Sequence, residues 1–332
     1  MSINPNFSAT PITYAATCGL ANATRDGGYT TVVSGGNSVK TNMALLRRSS
    51  GTLYPTGGIN GTRIDRIVAN AAATSSAGGL NLFIERGYPL IPISSVTILN
   101  PGTLTYGQLP ENSVGASGAI GAFFANNTPI AFWGTDCLNL GLRAGNCYYV
   151  VNATASNFQI SLTSGGVAIS FVGCSFVGNL YAQCLGIPVV AASIATPSAF
   201  TLIDTLDFSL GEGYVLSNPG TLTTIVAGTV YYMISSALVL GSAQFSSTLA
   251  GTGVGCGGVY TAGPYWSTAP KLLSSLAVTA VTASTTVPPW SGTFALPDPL
   301  EIPSGWNLYV TTEIASATTA DIFHIVATGG DF

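Results

Sequence analysis

Two eight-residue segments of this chain resemble each other and lie 83 residues apart. Residues 144–151 read Ala-Gly-Asn-Cys-Tyr-Tyr-Val-Val, and residues 227–234 read Ala-Gly-Thr-Val-Tyr-Tyr-Met-Ile. Each segment leads into a second one around an aromatic residue, Phe158 or Phe245, and then into a glycine-rich turn. β-branched and aromatic residues are typical of strands. The pattern predicts two related β-modules, with a chance match of two strand–turn–strand units as the alternative.

Strand patterns also dominate the sequence outside this repeat. Leu80, Leu82 and Ile84 occupy alternate positions, and the β-rich segment 321–327 is followed by a Gly-Gly pair. Helical periodicity is weak throughout, and residues 42–48 are the best candidate for a helical turn. The sequence therefore predicts an all-β protein.

Charged residues are scarce. The chain has nine basic and 13 acidic residues, which is 7% of its length, whereas soluble domains average about 25%. The mean hydropathy of +0.47 raises the possibility of a membrane protein. However, prolines and polar residues interrupt the most apolar stretch, residues 187–206, so we expect no membrane-spanning helix. A surface with so little charge tends to associate, which favours a component of an assembly.

The six cysteines predict buried free thiols more strongly than disulfides. The N-terminal residues lack the basic and apolar regions of a secretory signal, and disulfides rarely persist in reducing compartments. There is no C-x-x-C motif and only one histidine, so we expect neither a metal site nor a cofactor.

No pattern of residues indicates catalysis. The single histidine, His324, lies in an apolar strand-like segment, which favours a structural role. The densest acidic cluster, Asp204, Asp207 and Glu212, is compatible with glycan hydrolysis or Ca²⁺ binding, but also with solvated loop residues. We therefore expect a non-enzymatic protein. The net charge of −4 and the few basic residues disfavour nucleic-acid binding.

Charge is unevenly distributed along the chain. The first 143 residues carry a net charge of +3, and the remaining residues carry −7. This asymmetry is typical of an assembly component with one docking and one displayed pole, although a few solvated side chains without a function are an equal alternative.

Several segments resemble a recurrent type of small virion protein from tailed bacteriophages and prophages. They are residues 61–67, 74–84, 271–278, 287–290, 300–308 and 323–332. The Gly-Gly-Asp-Phe ending after a strand is the most specific of them. In the short proteins of this type the segments run together as one β-sandwich, whereas here residues from about 88 to 265 separate them. The inserted Tyr-Tyr units resemble β-modules of phage tail and fibre proteins.

The resemblance implies an antiparallel β-sandwich base, of jelly-roll or immunoglobulin-like type, with inserted small β-modules. We place the base at residues 1–110 and 265–332 and the modules at residues 111–190 and 191–264. The resemblance also implies a place in the virion, with assembly in the cytoplasm of the host bacterium.

Our main functional hypothesis is a capsid decoration (cement) protein, which forms a homotrimer and binds the major capsid protein or other virion proteins. The residues expected to face the capsid are Arg47, Arg48, Arg63 and Arg66. The alternative is a tail or tail-fibre protein that binds a host receptor or glycan. Its displayed aromatic residues would be Trp133, Tyr148, Tyr149, Tyr231 and Tyr232, with Trp266 as a further candidate.

Overall fold

A computed structural model gives the fold of the chain. It describes residues 12–19, 31–34, 37–40, 42–48, 54–107, 124–154, 156–202, 209–237, 242–261, 263–296, 299–313 and 321–331. Strands make up 47% of the structure and helix 2%, and the sheets are antiparallel, so the all-β prediction is confirmed. Within this described part, no helix combines the length and apolar composition that crossing a bilayer requires.

The chain divides into two compact units. The base unit is drawn from Met1–Tyr29, Lys40–Gly87 and Pro270–Phe332. The barrel unit is drawn from Thr30–Val39 and Tyr88–Ala269. The chain therefore leaves the base unit after Gly87 and enters it again at Pro270.

Two antiparallel sheets form the base unit, and their strands are numbered in chain order. The first sheet contains β1 (Ile12–Cys18), β5 (Arg47–Arg48), β6 (Thr62–Ala71), β21 (Ser291–Thr293), β22 (Leu300–Ile302) and β24 (Phe323–Asp331). Its order is β21-β6-β24-β1-β5, and β22 also pairs with β6. The second sheet contains β4 (Ala44–Leu45), β7 (Gly78–Glu85), β20 (Lys271–Val278) and β23 (Asn307–Thr312), in the order β20-β7-β23-β4.

The two sheets of the base unit share one hydrophobic core. Successive side chains of a strand point to opposite faces, and β24 follows this rule. Phe323, Ile325 and Ala327 are buried, and the residues between them are exposed. On the second sheet, Leu82 of β7 and Val310 of β23 pack into the same cluster. Burial of a large apolar side chain stabilises a fold by about 1.5–3 kcal/mol.

Residues 42–48 are not a helical turn, and that prediction is wrong. They form β4 and β5, which pair with β23 and β1. Leu46 lies between them, and its N–H donates to the carbonyl oxygen of Leu308 at 2.9 Å. Hydrogen bonds to strands distant in sequence thus override the weak helical pattern of this segment.

Two closed six-stranded barrels form most of the barrel unit. Barrel 1 contains β8 (Ile91–Val96), β9 (Leu104–Tyr106), β10 (Pro129–Trp133), β11 (Tyr148–Val151), β12 (Asn157–Ser161) and β13 (Tyr181–Cys184). Barrel 2 contains β14 (Ile187–Ala192), β15 (Phe200–Leu202), β16 (Gly213–Ser217), β17 (Val230–Ala237), β18 (Ser242–Ser246) and β19 (Tyr265–Thr268). A short helix, Asp136–Asn139, follows β10. A separate two-stranded sheet is formed by β2 (Thr31–Ser34) and β3 (Asn37–Lys40).

The barrels have the same strand order and therefore form a structural repeat. Barrel 1 closes as β8-β9-β12-β11-β10-β13, and barrel 2 closes as β14-β15-β18-β17-β16-β19. Even the irregularities correspond, because β8/β9 and β14/β15 each contain a register shift at the equivalent position. The two Tyr-Tyr segments of the sequence repeat form β11 and β17, which occupy equivalent places. Closure of each barrel pairs its edge strands, which removes exposed edges from each repeat.

The module boundaries differ from those expected. The expected base includes residues 91–106 and 265–268, but the first range contains β8 and β9 of barrel 1 and the second forms β19 of barrel 2. Residues 187–190 were assigned to the first module, but they belong to β14 of barrel 2. Each barrel begins with a hairpin whose partners lie far along the chain, so local strand pattern does not show to which unit the hairpin belongs.

A compensating exchange of side chains distinguishes the two barrel interiors. In barrel 1 the fully buried Phe171 lies against Gly102, where an added Cβ would come within 2.1 Å of the aromatic ring. The equivalent positions in barrel 2 are Cys256 and Ser198. The Ser198 hydroxyl accepts from the Cys256 N–H at 2.6 Å and donates to the Ala195 carbonyl oxygen at 2.8 Å. One site is filled by an aromatic ring and the other by a hydroxyl and a thiol.

This exchange predicts energetic coupling between Gly102 and Phe171. Gly102→Ser should destabilise the protein by about 1–3 kcal/mol through overpacking. Phe171→Cys should destabilise it by roughly 3 kcal/mol, because it leaves a cavity. The double variant recreates the barrel 2 arrangement, so its loss should be about 1–2 kcal/mol smaller than the sum of the single losses. Urea unfolding of the four proteins measures this, and additive losses would show that the two sites are not interchangeable.

Candidate functional site: the open face of the first sheet

One face of the first sheet of the base unit is exposed, and we call it the open face. It consists of Thr13, Ala15, Thr17, Arg47, Arg63, Arg66, Val68, Asn70, Ser291, Thr293, His324, Val326 and Thr328. These residues alternate along their strands with the buried residues of the core. The second sheet differs, because the residues opposite its core face, such as Asn81, Phe83 and Thr311, are completely buried.

Small and β-branched side chains occupy the middle of the open face. Ala15 of β1, Val326 of β24 and Val68 of β6 lie side by side in register. Thr328 pairs with Thr13 in the adjacent row. Val326 retains 37% of its accessible surface, which is high for a valine in a central strand. The centre of this face is thus mildly apolar and uncharged.

Three of the four predicted docking arginines lie on the open face. Arg47 is exposed on β5 in register with Ala15, and Arg66 is exposed on β6 in register with Thr328. The Arg63 Nε donates to the Asp65 Oδ1 at 2.8 Å. Cationic groups therefore lie at the margins of the apolar row formed by Ala15, Val68 and Val326.

Arg48, the fourth predicted docking residue, is not on this face. It pairs in register with the buried Tyr14 and makes an ion pair with Asp331 of β24. The other carboxylate oxygen of Asp331 accepts from the Thr62 hydroxyl at 2.9 Å. The Thr62 hydroxyl also lies 2.9 Å from the Tyr14 hydroxyl. Arg48 thus joins a partly buried network that holds the end of β24, away from the open face.

The end of β24 accounts for Gly329 and Asp331 of the Gly-Gly-Asp sequence. A Cβ on Gly329 would lie 1.9 Å from the Arg63 carbonyl oxygen, so only glycine fits this position. The register of β24 against β6 shifts between Thr328 and Gly329, as in a β-bulge. Asp331 then reaches Arg48 and Thr62. The most specific element of the sequence resemblance is therefore a structural element of the base.

Four of the five aromatic residues expected to be displayed are buried, so the prediction of exposure is wrong for them. Tyr148 and Tyr231 lie in the barrel cores, and Trp133 and Tyr149 are also buried. Trp266, the further candidate, is fully buried and stacks on Phe245 in barrel 2. Tyr232 is half-buried. A glycan-binding platform made of these rings is thus not present.

The structure places only some of the residues considered for chemistry. His324 is exposed on the open face, and its Nδ1 lies 3.4 Å from the Thr17 hydroxyl. Asp204 and Asp207 lie outside the described residues, and Glu212 accepts from the Tyr214 hydroxyl at 3.0 Å. Among the residues that the structure describes, no three His, Cys, Asp or Glu side chains are grouped as a metal ion would require.

Asp136 is a buried polar anchor that sequence reasoning missed. Its carboxylate accepts from the backbone N–H groups of Val177 and Asn179 at 3.1 and 2.8 Å, and from the Asn139 amide at 2.8 Å. Burial tends to raise the pKa of Asp136, but these hydrogen bonds outweigh that effect and lower it below its ordinary value. The carboxylate fixes the loop before β13, where Val172 and Val177 are exposed. A lone aspartate in a loop-like sequence gives no signal of this role.

Comparison of the chain with protein-family models, with curated proteins and with solved structures found no match.

The network at the end of β24 predicts that removal of the Asp331 carboxylate destabilises the protein more than removal of the Asp65 carboxylate. Asp331→Ala should destabilise the protein by about 1–2 kcal/mol, because it leaves Arg48 and Thr62 without their shared acceptor. The matched control is Asp65→Ala, which removes a more exposed ion pair and should change stability by about 0.5 kcal/mol or less. Chemical denaturation of both variants measures the difference, and equal losses would contradict the structural role of Asp331.

The burial of five of the six cysteines predicts that a thiol reagent labels Cys174 selectively. All six are free thiols, and all except the half-buried Cys174 are buried, as predicted. Burial raises the pKa values of Cys18, Cys137 and Cys147 to about 12. The thiolate is the reactive form, so a disulfide reagent at about pH 8 should label one of the six thiols rapidly in the native protein and all six after denaturation.

Cys174→Ser is the control, and it should remove the rapid phase of labelling. Rapid labelling of several thiols would contradict the burial of the other five cysteines.

The raised pKa values of Cys18, Cys137 and Cys147 also affect stability at high pH. The stability that these neutral thiols contribute is fully present below about pH 9, their ordinary pKa, and is lost as the pH rises towards 12.

Proposed function

We propose that this chain is a non-enzymatic structural protein of a tailed-phage virion, and that it acts as a capsid decoration protein. In this proposal the two sheets of the base unit form a β-sandwich, whose open face docks on the major capsid protein or a neighbouring virion protein. The barrels are displayed or bridge to neighbouring copies. The protein enters the particle during assembly in the bacterial cytoplasm.

The open face is the observation that carries the proposal. Interface centres are poor in charge, and interfaces as a whole are enriched in arginine. The row of Ala15, Val68 and Val326 has the first property, and Arg47 and Arg66 at its margins provide the second. A sheet face that is left exposed, while the central strands β7 and β23 of the opposite sheet are largely buried on both sides, is best explained as a surface with a partner.

The charges of the face favour an acidic partner surface. Arg63 is compensated by Asp65, whereas Arg47 and Arg66 add positive charge at opposite sides of the apolar row. Complementary charges accelerate encounter and select the partner more than they add affinity. Docking should therefore weaken as the salt concentration rises.

A tail protein that binds a protein receptor is the second candidate. One observation favours it: barrel 1 displays the apolar side chains of Leu138, Val172 and Val177, which are 85%, 66% and 74% exposed. Asp136 fixes the loop that carries Val177. Decoration remains our first proposal, because the open face belongs to the part of the chain with the virion-protein resemblance.

A cryo-EM map of the phage particle that contains this chain distinguishes the two candidates. The decoration role predicts density for the base unit on the head, with the open face against the capsid. Density confined to the tail would refute it.

Charge reversal tests the docking surface itself. Arg47→Glu with Arg66→Glu should lower the number of copies that co-sediment with capsids at least about tenfold, because each reversal repels an acidic partner. Lys271→Glu is the control for charge reversal, since it reverses one charge at an exposed site on the second sheet. Equal binding of all three proteins would show that the open face is not the docking surface.

A further inference from the structure

Three connections between strands lie together at one end of each barrel. Neighbouring strands of barrel 1 are antiparallel, so β8, β10 and β12 run in the same direction and the connections that follow them lie at the same end. These connections are residues 97–103, 134–147 and 162–180. The corresponding connections of barrel 2, which follow β14, β16 and β18, are residues 193–199, 218–229 and 247–264. We call these two sets of connections the apolar ends of the barrels.

Exposed apolar side chains are concentrated at the apolar ends. In the described part of the chain, 15 large apolar side chains are exposed, and ten of them belong to these connections. The connections make up less than a third of the described residues, so the exposed apolar residues are not spread evenly over the surface. The ten residues are Leu99, Leu138, Leu162, Val167, Val172 and Val177 in barrel 1 and Ile194, Val226, Leu249 and Val259 in barrel 2. Such a concentration marks a surface that binds a protein or a membrane.

Charge is almost absent from the apolar ends. The connections of barrel 2 contain no charged residue, and those of barrel 1 contain only Asp136 and Arg143. Asp136 is completely buried, whereas Arg143 is exposed. Electrostatic attraction can therefore contribute little to binding at these ends, and the apolar side chains must supply most of the driving force.

Backbone hydrogen bonds between connections hold each apolar end in shape. In barrel 1 the Gly102 N–H donates to the Ile169 carbonyl oxygen at 3.0 Å. In barrel 2 the Ser198 N–H donates to the Val254 carbonyl oxygen at 2.9 Å, which is the equivalent bond. Because polar backbone groups that are already paired cost less to remove from water, these ends can enter an apolar environment without unfolding.

The exposed side chains stand apart from one another and do not line a groove. Val167 and Leu138 retain 92% and 85% of their accessible surface, which leaves little contact with any neighbouring side chain. A protein partner would need a separate pocket for each of them, whereas a fluid lipid phase can surround each one.

The composition of the apolar ends also favours lipid over protein. All ten exposed residues are leucine, valine or isoleucine. The residues that dominate binding energy between proteins are mainly tryptophan, tyrosine and arginine, and leucine and valine are under-represented among them. Aliphatic side chains are sufficient for lipid, because their binding free energy comes from the apolar area that leaves water.

We propose that the apolar ends of the barrels insert into the surface of a lipid bilayer. The aliphatic side chains enter the boundary between the headgroups and the acyl chains, while the strands stay outside. Since Arg143 is the one exposed charge of these connections, binding requires no anionic lipid. This activity goes beyond the proposed docking of the open face, which belongs to the base unit and depends on arginines.

Flotation of the full chain with vesicles of neutral phosphatidylcholine tests this inference. The wild-type protein should float with the vesicles. Leu138→Asp with Val167→Asp should lower the partition coefficient on the order of tenfold or more, because it removes two aliphatic side chains from the bilayer and introduces two charges. Val190→Asp with Leu210→Asp is the matched control, since it makes the same two changes at exposed positions of the barrel unit outside the apolar ends. The control variant should float as the wild type does.

Salt and lipid charge separate this inference from the proposed docking. Binding to vesicles should be unchanged when the salt concentration is raised or when anionic phosphatidylglycerol is added, whereas docking of the open face should weaken with salt. Each proposal can therefore fail while the other holds. Wild-type protein that does not float with neutral vesicles would overturn the inference and favour a protein receptor as the partner of the apolar ends. A requirement for anionic lipid would also overturn it, as would equal losses in the two double variants.

Discussion

The central position of β24 is the constraint on which the base unit depends. This strand pairs with β6 on one side and with β1 on the other, so strands from distant parts of the sequence meet in one sheet. Its alternate residues supply the core on one face and the middle of the open face on the other. Gly329 and Asp331 secure its end, through a close backbone approach and through the network with Arg48 and Thr62. The long insertion is tolerated because the entropy of loop closure grows only slowly with loop length.

The two barrels share one arrangement of strands but differ in the side chains that fill their interiors. Both barrels use the same order of short strands, but Gly102 and Phe171 of barrel 1 correspond to Ser198 and Cys256 of barrel 2. Such exchanges keep the interior of each barrel packed although the individual side chains differ. Tyrosines occupy two equivalent outward positions in the barrels, Tyr149 with Tyr232 and Tyr181 with Tyr265.

Sequence pattern predicted the all-β class and the repeat, and it failed where pairing partners were distant. In each Tyr-Tyr pair the first ring enters the barrel core, because strand residues alternate between faces. The second ring points outward, and its burial differs between the barrels: Tyr149 is buried beside Tyr265 of barrel 2, whereas Tyr232 is half-buried. Arg47 and Arg48 are adjacent in sequence, so the same alternation places one on the open face and the other in the network of Asp331.

The sequence by itself determined the strand content, the scarcity of charge, the internal repeat and the glycine-aspartate ending of the base. These properties depend on local composition and on periodicity, which a single chain displays directly. Only the tertiary structure decided that residues 91–106 belong to barrel 1 and that three of the four predicted docking arginines share an exposed face. It also decided that Tyr149 is buried whereas the equivalent Tyr232 is half-buried. The reason is physical: strand register and the contact between barrels join residues far apart in the chain, and no local pattern encodes which distant strand becomes the partner.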